Sequence, residues 1–312
     1  MAHVFKILAI DGGGIRGIIP ATVLMEIERQ TGKRVADLFD LVAGTSTGGI
    51  LAAGLAMPGH NGRPAYAAGD LRELYLRQAS TIFPQSLWSK VRRPLAEKYS
   101  SSGIENVLKK FFGASRLQDS LCGVLATSYE IRLRQPWFFR SDRAAKDASY
   151  DFPLWEVARA TSAAPTYFPP ARLGNGEWTL IDGGTYANNP ALCAYAEARQ
   201  SRPDAEILLV SLGTGRHAEA IRYRPGFLGW AKPILDVVFD GVSRTTEYQM
   251  EQLLPSVRGV RRYYRLQTDL ADGEDDMDNA DPGNLKRLVE RAETLVAEKM
   301  SQLREVCAQL QR

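Results

Sequence analysis

Gly44-Thr45-Ser46-Thr47-Gly48 places a serine between two glycines, each two residues away. An apolar run, Leu41 to Ala43, precedes it, and an Ala/Leu-rich run from Ile50 to Met57 follows. A serine hydroxyl becomes a nucleophile when the chain presents it on an exposed turn and a base accepts its proton. A sharp strand-to-helix turn tolerates no bulk at its flanks, which Gly44 and Gly48 satisfy. The same turn sets Ser46 at a helix N-terminus, where backbone N–H groups favour developing negative charge. The uncharged stretch 41–58 is long enough for a membrane span. Its central glycines and hydroxyl residues fit a buried strand–turn–helix better.

A second glycine cluster, Asp11-Gly12-Gly13-Gly14-Ile15-Arg16-Gly17, follows the apolar run Phe5 to Ile10. Two chemistries compete for it. Gly12-x-Gly14-x-x-Gly17 matches the dinucleotide fingerprint, and Asp37 and Asp40 lie about twenty residues on, where a ribose ligand belongs. That reading makes the chain a nucleotide-binding protein without hydrolase activity. Alternatively, successive glycines present bare N–H groups as an oxyanion hole. The serine turn on the next strand favours the oxyanion hole.

The serine needs a base, and the chain holds three histidines: His3, His60 and His217. Ser46, Asp182 and His217 stand in the chain order of an α/β-hydrolase triad. The other choice is Asp182 acting directly. A free aspartate titrates near about 3.9, too low for a good base at neutral pH. Burial without a cationic partner raises it. Gly183 and Gly184 beside it leave room for close approach.

These residues need a scaffold that alternates strands and helices, and the pattern supplies one. Strands are expected at Phe5–Ile10, Leu41–Ala43, Val124–Ser128, Thr179–Ile181, Ile207–Leu212 and Arg261–Leu266, with Trp137–Phe139 part of another. Helices are expected near 20–30, from Asp70 as cap to Thr81, at 103–112 and 155–162, and from Asn188-Asn189-Pro190 to Arg199. Further helices are expected over most of 227–254 and as one amphipathic helix over 284–310. The fold class is therefore α/β, in three layers, with a mostly parallel central sheet flanked by helices. Phe83 to Arg93 reads either as an interfacial segment on anionic lipid or as an internal helix with a solvated basic edge. Asp272 to Asp281 fails the EF-hand pattern and reads as a solvated loop near the site mouth.

The chain of 312 residues is 45% hydrophobic with a net charge of +3, too small a charge to argue for a nucleic-acid polymer. No secretory leader is visible, and Cys122, Cys193 and Cys307 have no metal spacing, so a cytoplasmic protein with reduced thiols is expected.

Three blocks in order carry a resemblance: Asp11 to Gly17, then Gly44 to Gly49, then Asp182-Gly183-Gly184 with Asn188-Asn189-Pro190. With Ala160 to Pro169 and Ser211 to Gly215, the sequence resembles the patatin-like phospholipase family over nearly its whole length. The resemblance implies one domain over 1–312 with the three-layer patatin-like fold. It implies Ser46 as nucleophile and Asp182 as base, a Ser–Asp dyad. Gly12, Gly13 and Gly14 form the oxyanion hole with the Thr47 N–H, and Arg16 belongs to the same loop. It implies no metal, no cofactor and calcium independence. The substrate would be a fatty-acyl ester of membrane phospholipid, reached by peripheral membrane contact. Some bacterial relatives of similar size are antiphage effectors that degrade the host membrane once a cyclic oligonucleotide activates them. The chain is compatible with that role and with a housekeeping lipid acyl hydrolase. Oligomeric state is left open.

Overall fold

The computed structural model describes residues 4–84, 98–217, 227–270 and 276–312. Its centre is an eight-stranded sheet of order β5-β6-β3-β2-β1-β7-β9, with β4 also paired to β3. The strands are β1 (Val4–Ile10), β2 (Leu41–Thr45), β3 (Gly123–Glu130), β4 (Gln135–Arg140), β5 (Ala171–Leu173), β6 (Trp178–Asp182), β7 (Glu206–Leu212) and β9 (Tyr263–Leu266). A separate parallel pair joins β8 (Arg216–His217) to β10 (Asp269–Leu270).

Period-two alternation builds the layers. Leu8 and Ile10 face one core while Ile7 and Ala9 face the other. On β7, Leu208, Val210 and Leu212 alternate in the same way with Ile207 and Leu209. A strand buried on both faces reads as a largely apolar run, and both strands do, with Lys6 and Ser211 as their polar members. The larger core is closed by α1 (Ile18–Thr31), α2 (Thr47–Ala56), α3 (Ala68–Ile82), α4 (Ser101–Phe112), α5 (Leu154–Thr161) and the C-terminal helices. The smaller is closed by α6 (Ala191–Ser201) and the end of α7 (Phe227–Leu253).

β3, β2, β1, β7 and β9 run parallel, whereas β4, β6 and β5 form an antiparallel margin. That margin places the site. β1 and β2 end side by side, with Ile10 opposite Gly44, so the glycine loop and the serine turn leave the sheet together. β3 overhangs β2 by running on past Thr127, the partner of Thr45. β6 comes back down this overhang, and its last residue, Asp182, pairs with Ser128. A returning antiparallel strand thus delivers Asp182 to the level of the Ser46 turn.

Several local expectations are corrected. The helix expected to be capped by Asp70 starts at Ala68. Asp70 is its third residue and caps from within, accepting the Ala67 N–H at 2.8 Å. The C-terminal helix is two: α8 (Pro282–Glu298) and α9 (Met300–Leu310), broken at Lys299. α8 begins earlier than expected because Asp281 accepts the N–H groups of Gly283 and Asn284, with Pro282 in the first turn. The acidic stretch is not wholly solvated, since Asp278 is buried. Residues 85–93 of the segment read as interfacial lie outside the described residues. Among those described, no helix is long and apolar enough to cross a membrane.

Candidate active site

Ser46 joins β2 to α2 with φ 55° and ψ −122°, a backbone that side-chain-bearing residues rarely adopt. The neighbouring atoms explain the spacing of the flanking glycines. A Cβ on Gly44 would lie 2.0 Å from the Gly48 carbonyl oxygen, and one on Gly48 would lie 2.1 Å from that of Ile10. The turn closes on its own backbone and against the end of β1. Threonines hold it from below. The Ser46 N–H donates to Thr161 Oγ1 at 3.0 Å, and that hydroxyl donates to the Thr127 carbonyl at 2.6 Å. Thr45 Oγ1 donates to the Ala187 carbonyl at 2.6 Å.

The glycine loop lies against this turn. A Cβ on Gly12 would sit 2.4 Å from Asn188 Oδ1 and 3.3 Å from Ser46 Cβ, so the Asn188 side chain excludes a larger residue 12 and the serine adds to the crowding. The Gly12 N–H is spent, donating to the Asn188 carbonyl at 3.0 Å. The N–H groups of Gly13 and Gly14 have no protein partner among the described residues. Their directions are set through the opposite ends of their peptide units, because C=O and N–H of a trans peptide point opposite ways. The Gly12 carbonyl accepts from Thr214 Oγ1 at 2.7 Å. The Gly13 carbonyl accepts from the Arg16 N–H at 3.2 Å and Arg16 Nε at 3.3 Å. Thr214 and Arg16 therefore aim the next two N–H groups. Gly14, at φ +57°, is packed so closely that a Cβ would meet the Met277 carbonyl at 2.1 Å.

Asp182 is 2% exposed. Its Oδ1 accepts the Gly184 N–H at 2.7 Å. Burial pushes its carboxyl from 3.8 up to about 7, with the Ser46 hydroxyl and the Gly184 N–H pulling the other way. A carboxyl poised there matches a general base at neutral pH. Gly183 lets it sit close, since a Cβ there would be 2.2 Å from Thr127 Oγ1. Gly13, Gly14, Ser46, Thr47 and Asp182 all open on one cleft of about 630 Å³, counted out to its mouth. Its other walls are apolar, among them Ile50, Ile82, Phe83, Ile104 and Phe168. Thr47 begins α2, so its N–H has no partner within the helix, and the residue lines the same cleft. Of the histidines, His60 is exposed in the loop after α2, and His217 lies on β8.

The sequence pattern of the family described as patatin-like phospholipase matches residues 8–195. The chain belongs to that family. Patatin-like protein 1 of Arabidopsis thaliana is 32% identical over 95% of this chain and 82% of its own length. Patatin-like protein 2 of the same plant is 33% identical over 87% and 77%. Among solved structures, VipD from Legionella pneumophila matches with a TM-score of 0.38 at 11% identity, covering 96% of this chain and 67% of that one. Membership in the patatin-like family supports lipid acyl hydrolysis as the general class of chemistry.

Two supporting contacts of this patatin-like site are not read from the sequence, the Thr161–Ser46 hydrogen bond and the Asp11–Arg265 pair, although Thr161 and Asp11 stand within its motifs. Arg265 on β9 reaches across β7 and grips Asp11 with two donors, at 2.9 and 2.6 Å, just before the glycine loop. Thr214 was visible only as part of a motif. On the expectation that the Gly13 N–H it aims serves an oxyanion hole, Thr214→Val should lower kcat about tenfold with KM within about twofold, because such a donor binds the transition state and not the ground state. Steady-state kinetics on a soluble ester checks this.

Proposed function

We propose that this protein is a metal-independent serine lipid acyl hydrolase of phospholipase A type, with Ser46 as nucleophile and Asp182 as base. One observation carries the reading. A serine on a strained turn shares a cleft with a buried aspartate whose carboxyl titrates near neutrality. In the proposed reaction Asp182 takes the Ser46 proton as Oγ attacks the ester carbonyl carbon. The N–H groups of Gly13, Gly14 and Thr47 receive the oxyanion; Gly12, whose N–H is engaged, contributes shape. Asp182 returns the proton to the leaving lysolipid oxygen. Water, deprotonated by Asp182, then cleaves the acyl-serine, and the proton passes back to Ser46 as free fatty acid leaves. The apolar walls suit an acyl chain, and the proposed substrate is a phospholipid taken from a membrane surface by peripheral contact.

The nucleotide-binding alternative is disfavoured by one contact. The Ile15 N–H, which a phosphate cradle would offer to its anion, donates at 2.9 Å to the Met277 carbonyl, an acceptor in the anion's place. The cyclic-oligonucleotide activator and the antiphage role rest on the resemblance alone, and a cyclic-nucleotide panel added to a lipase assay tests them.

The base assignment predicts a pH profile. On a soluble ester, kcat/KM should climb about tenfold per pH unit below about 7 and level off above it, as Asp182 ionises. A rate that stays flat down to pH 5 would remove Asp182 from the role.

A further inference from the structure

The apolar wall of the cleft is tied to the glycine loop through a buried carboxylate. Phe83 and Phe168 line the cleft, and behind them stands Tyr99, with ring centroids 5.6 Å and 5.7 Å away. The Tyr99 hydroxyl donates to Asp278 Oδ2 at 2.7 Å, and Lys98 Nζ pairs with the same oxygen. Asp278 is 5% exposed. The preceding residue, Met277, presents its carbonyl to the Ile15 N–H and packs on Gly14. From the acyl wall to the loop holding the Gly14 N–H there is thus one unbroken run of contacts: Phe83 and Phe168, Tyr99, Asp278, Met277, Gly14.

We infer that Tyr99 and Asp278 form a latch through which an acyl chain filling the cleft sets the glycine loop, so that chain length is selected in kcat. The inference rests on the acyl-hydrolase reading above. Physically, a chain seated against Phe83 and Phe168 presses the Tyr99 ring, whose hydroxyl holds Asp278. Asp278 fixes the strap that places the Met277 carbonyl on Gly14. A short acyl group does not reach the wall and reacts on a loosely held loop. Binding energy from a remote part of the substrate is then expressed at the reacting centre. Tyr99 and Asp278 touch neither the ester nor Ser46. They are positioning residues.

The test is a series of p-nitrophenyl esters from acetate to decanoate, with wild type, Tyr99→Phe and Asp278→Asn. In wild type, kcat should rise about tenfold along the series, while KM falls as the chain grows more apolar. In both variants the rise in kcat should shrink to under about twofold, with acetate turnover near wild type and the fall in KM kept. A general loss of folded protein lowers every ester by one factor and leaves the decanoate-to-acetate ratio of kcat unchanged, so an unchanged ratio overturns the latch. Tyr99→Phe keeps the ring packed and removes one hydroxyl, which covers the case in which Asp278→Asn fails to fold. If wild type turns over no ester above a Ser46→Ala control, the acyl-hydrolase reading falls, and the latch with it.

Discussion

Asp182→Asn is expected to lower fatty-acyl ester turnover by about 10⁴-fold or more, since loss of one member of a nucleophile–base unit costs nearly as much as loss of the whole. The amide keeps the size of the side chain but cannot accept the Ser46 proton. The same substitution carries a thermodynamic signature. The Asp182 carboxyl is raised by burial from 3.8 to about 7, so the folded state holds its proton more tightly than the unfolded chain. Stability contributed by the protonated group is full below about 4 and drains away as pH rises towards 7. Asparagine does not titrate. The stability of Asp182→Asn relative to wild type should therefore grow between pH 4 and pH 7 and stay level above it. Urea unfolding across that range measures the gap. A gap independent of pH would mean that Asp182 is not held in a charge-averse site.

Arg265→Met should cost about 3–5 kcal/mol of folding stability, the usual result of stranding one member of a buried ion pair. The side chains of Arg265 and Asp11 are 7% and 2% exposed, and two parallel hydrogen bonds join them. Burial pushes the Asp11 carboxyl up, and the Arg265 charge draws it down; Arg265 itself is held firmly charged by Asp11. Removing the guanidinium leaves Asp11 buried without its counter-charge, one residue from the glycine loop. Arg265 Nη1 also donates to Ser211 Oγ at 2.9 Å, so β7 loses a tie as well. Replacing both partners, Asp11→Leu with Arg265→Met, should recover most of the loss, because the one carboxylate then left without Arg265, Glu247, is partly exposed. Denaturant midpoints for the two single variants and the double give the coupling directly. Additive losses would show that the pair is not a unit.

The glycine-flanked serine turn is legible in the sequence because it answers a local backbone demand. Gly44 is glycine because the turn closes on its own backbone at Gly48. That demand falls within a few residues, so spacing records it; Gly12, Gly13 and Gly14 answer instead to Asn188, Thr214 and Met277, far along the chain. The strands β1 and β7 are legible for a similar reason, since burial on both faces leaves a mostly apolar run. What holds the blocks in place was not legible. Arg265 lies 254 residues from Asp11, and Thr161 lies 115 from Ser46; one hydrogen bond between distant residues leaves no periodic trace. The antiparallel margin was missed in part because Ala171–Leu173 has only three residues, too few to set a period. The break at Lys299 carries no Gly or Pro, the usual punctuation, and the two amphipathic patterns read as one. Asp278 was read as solvated because an acidic run is normally a wet surface; its burial depends on Lys98 and Tyr99, far off in the chain.

The claim at the centre is that Ser46 attacks a phospholipid acyl ester without a metal. Fatty-acid release from mixed phospholipid vesicles in EDTA, by wild type beside Ser46→Ala, tests it most directly. Wild type should release fatty acid steadily, and Ser46→Ala should release it about 10⁴-fold or more slowly. Equal release by the two proteins, or release that EDTA abolishes, would contradict it.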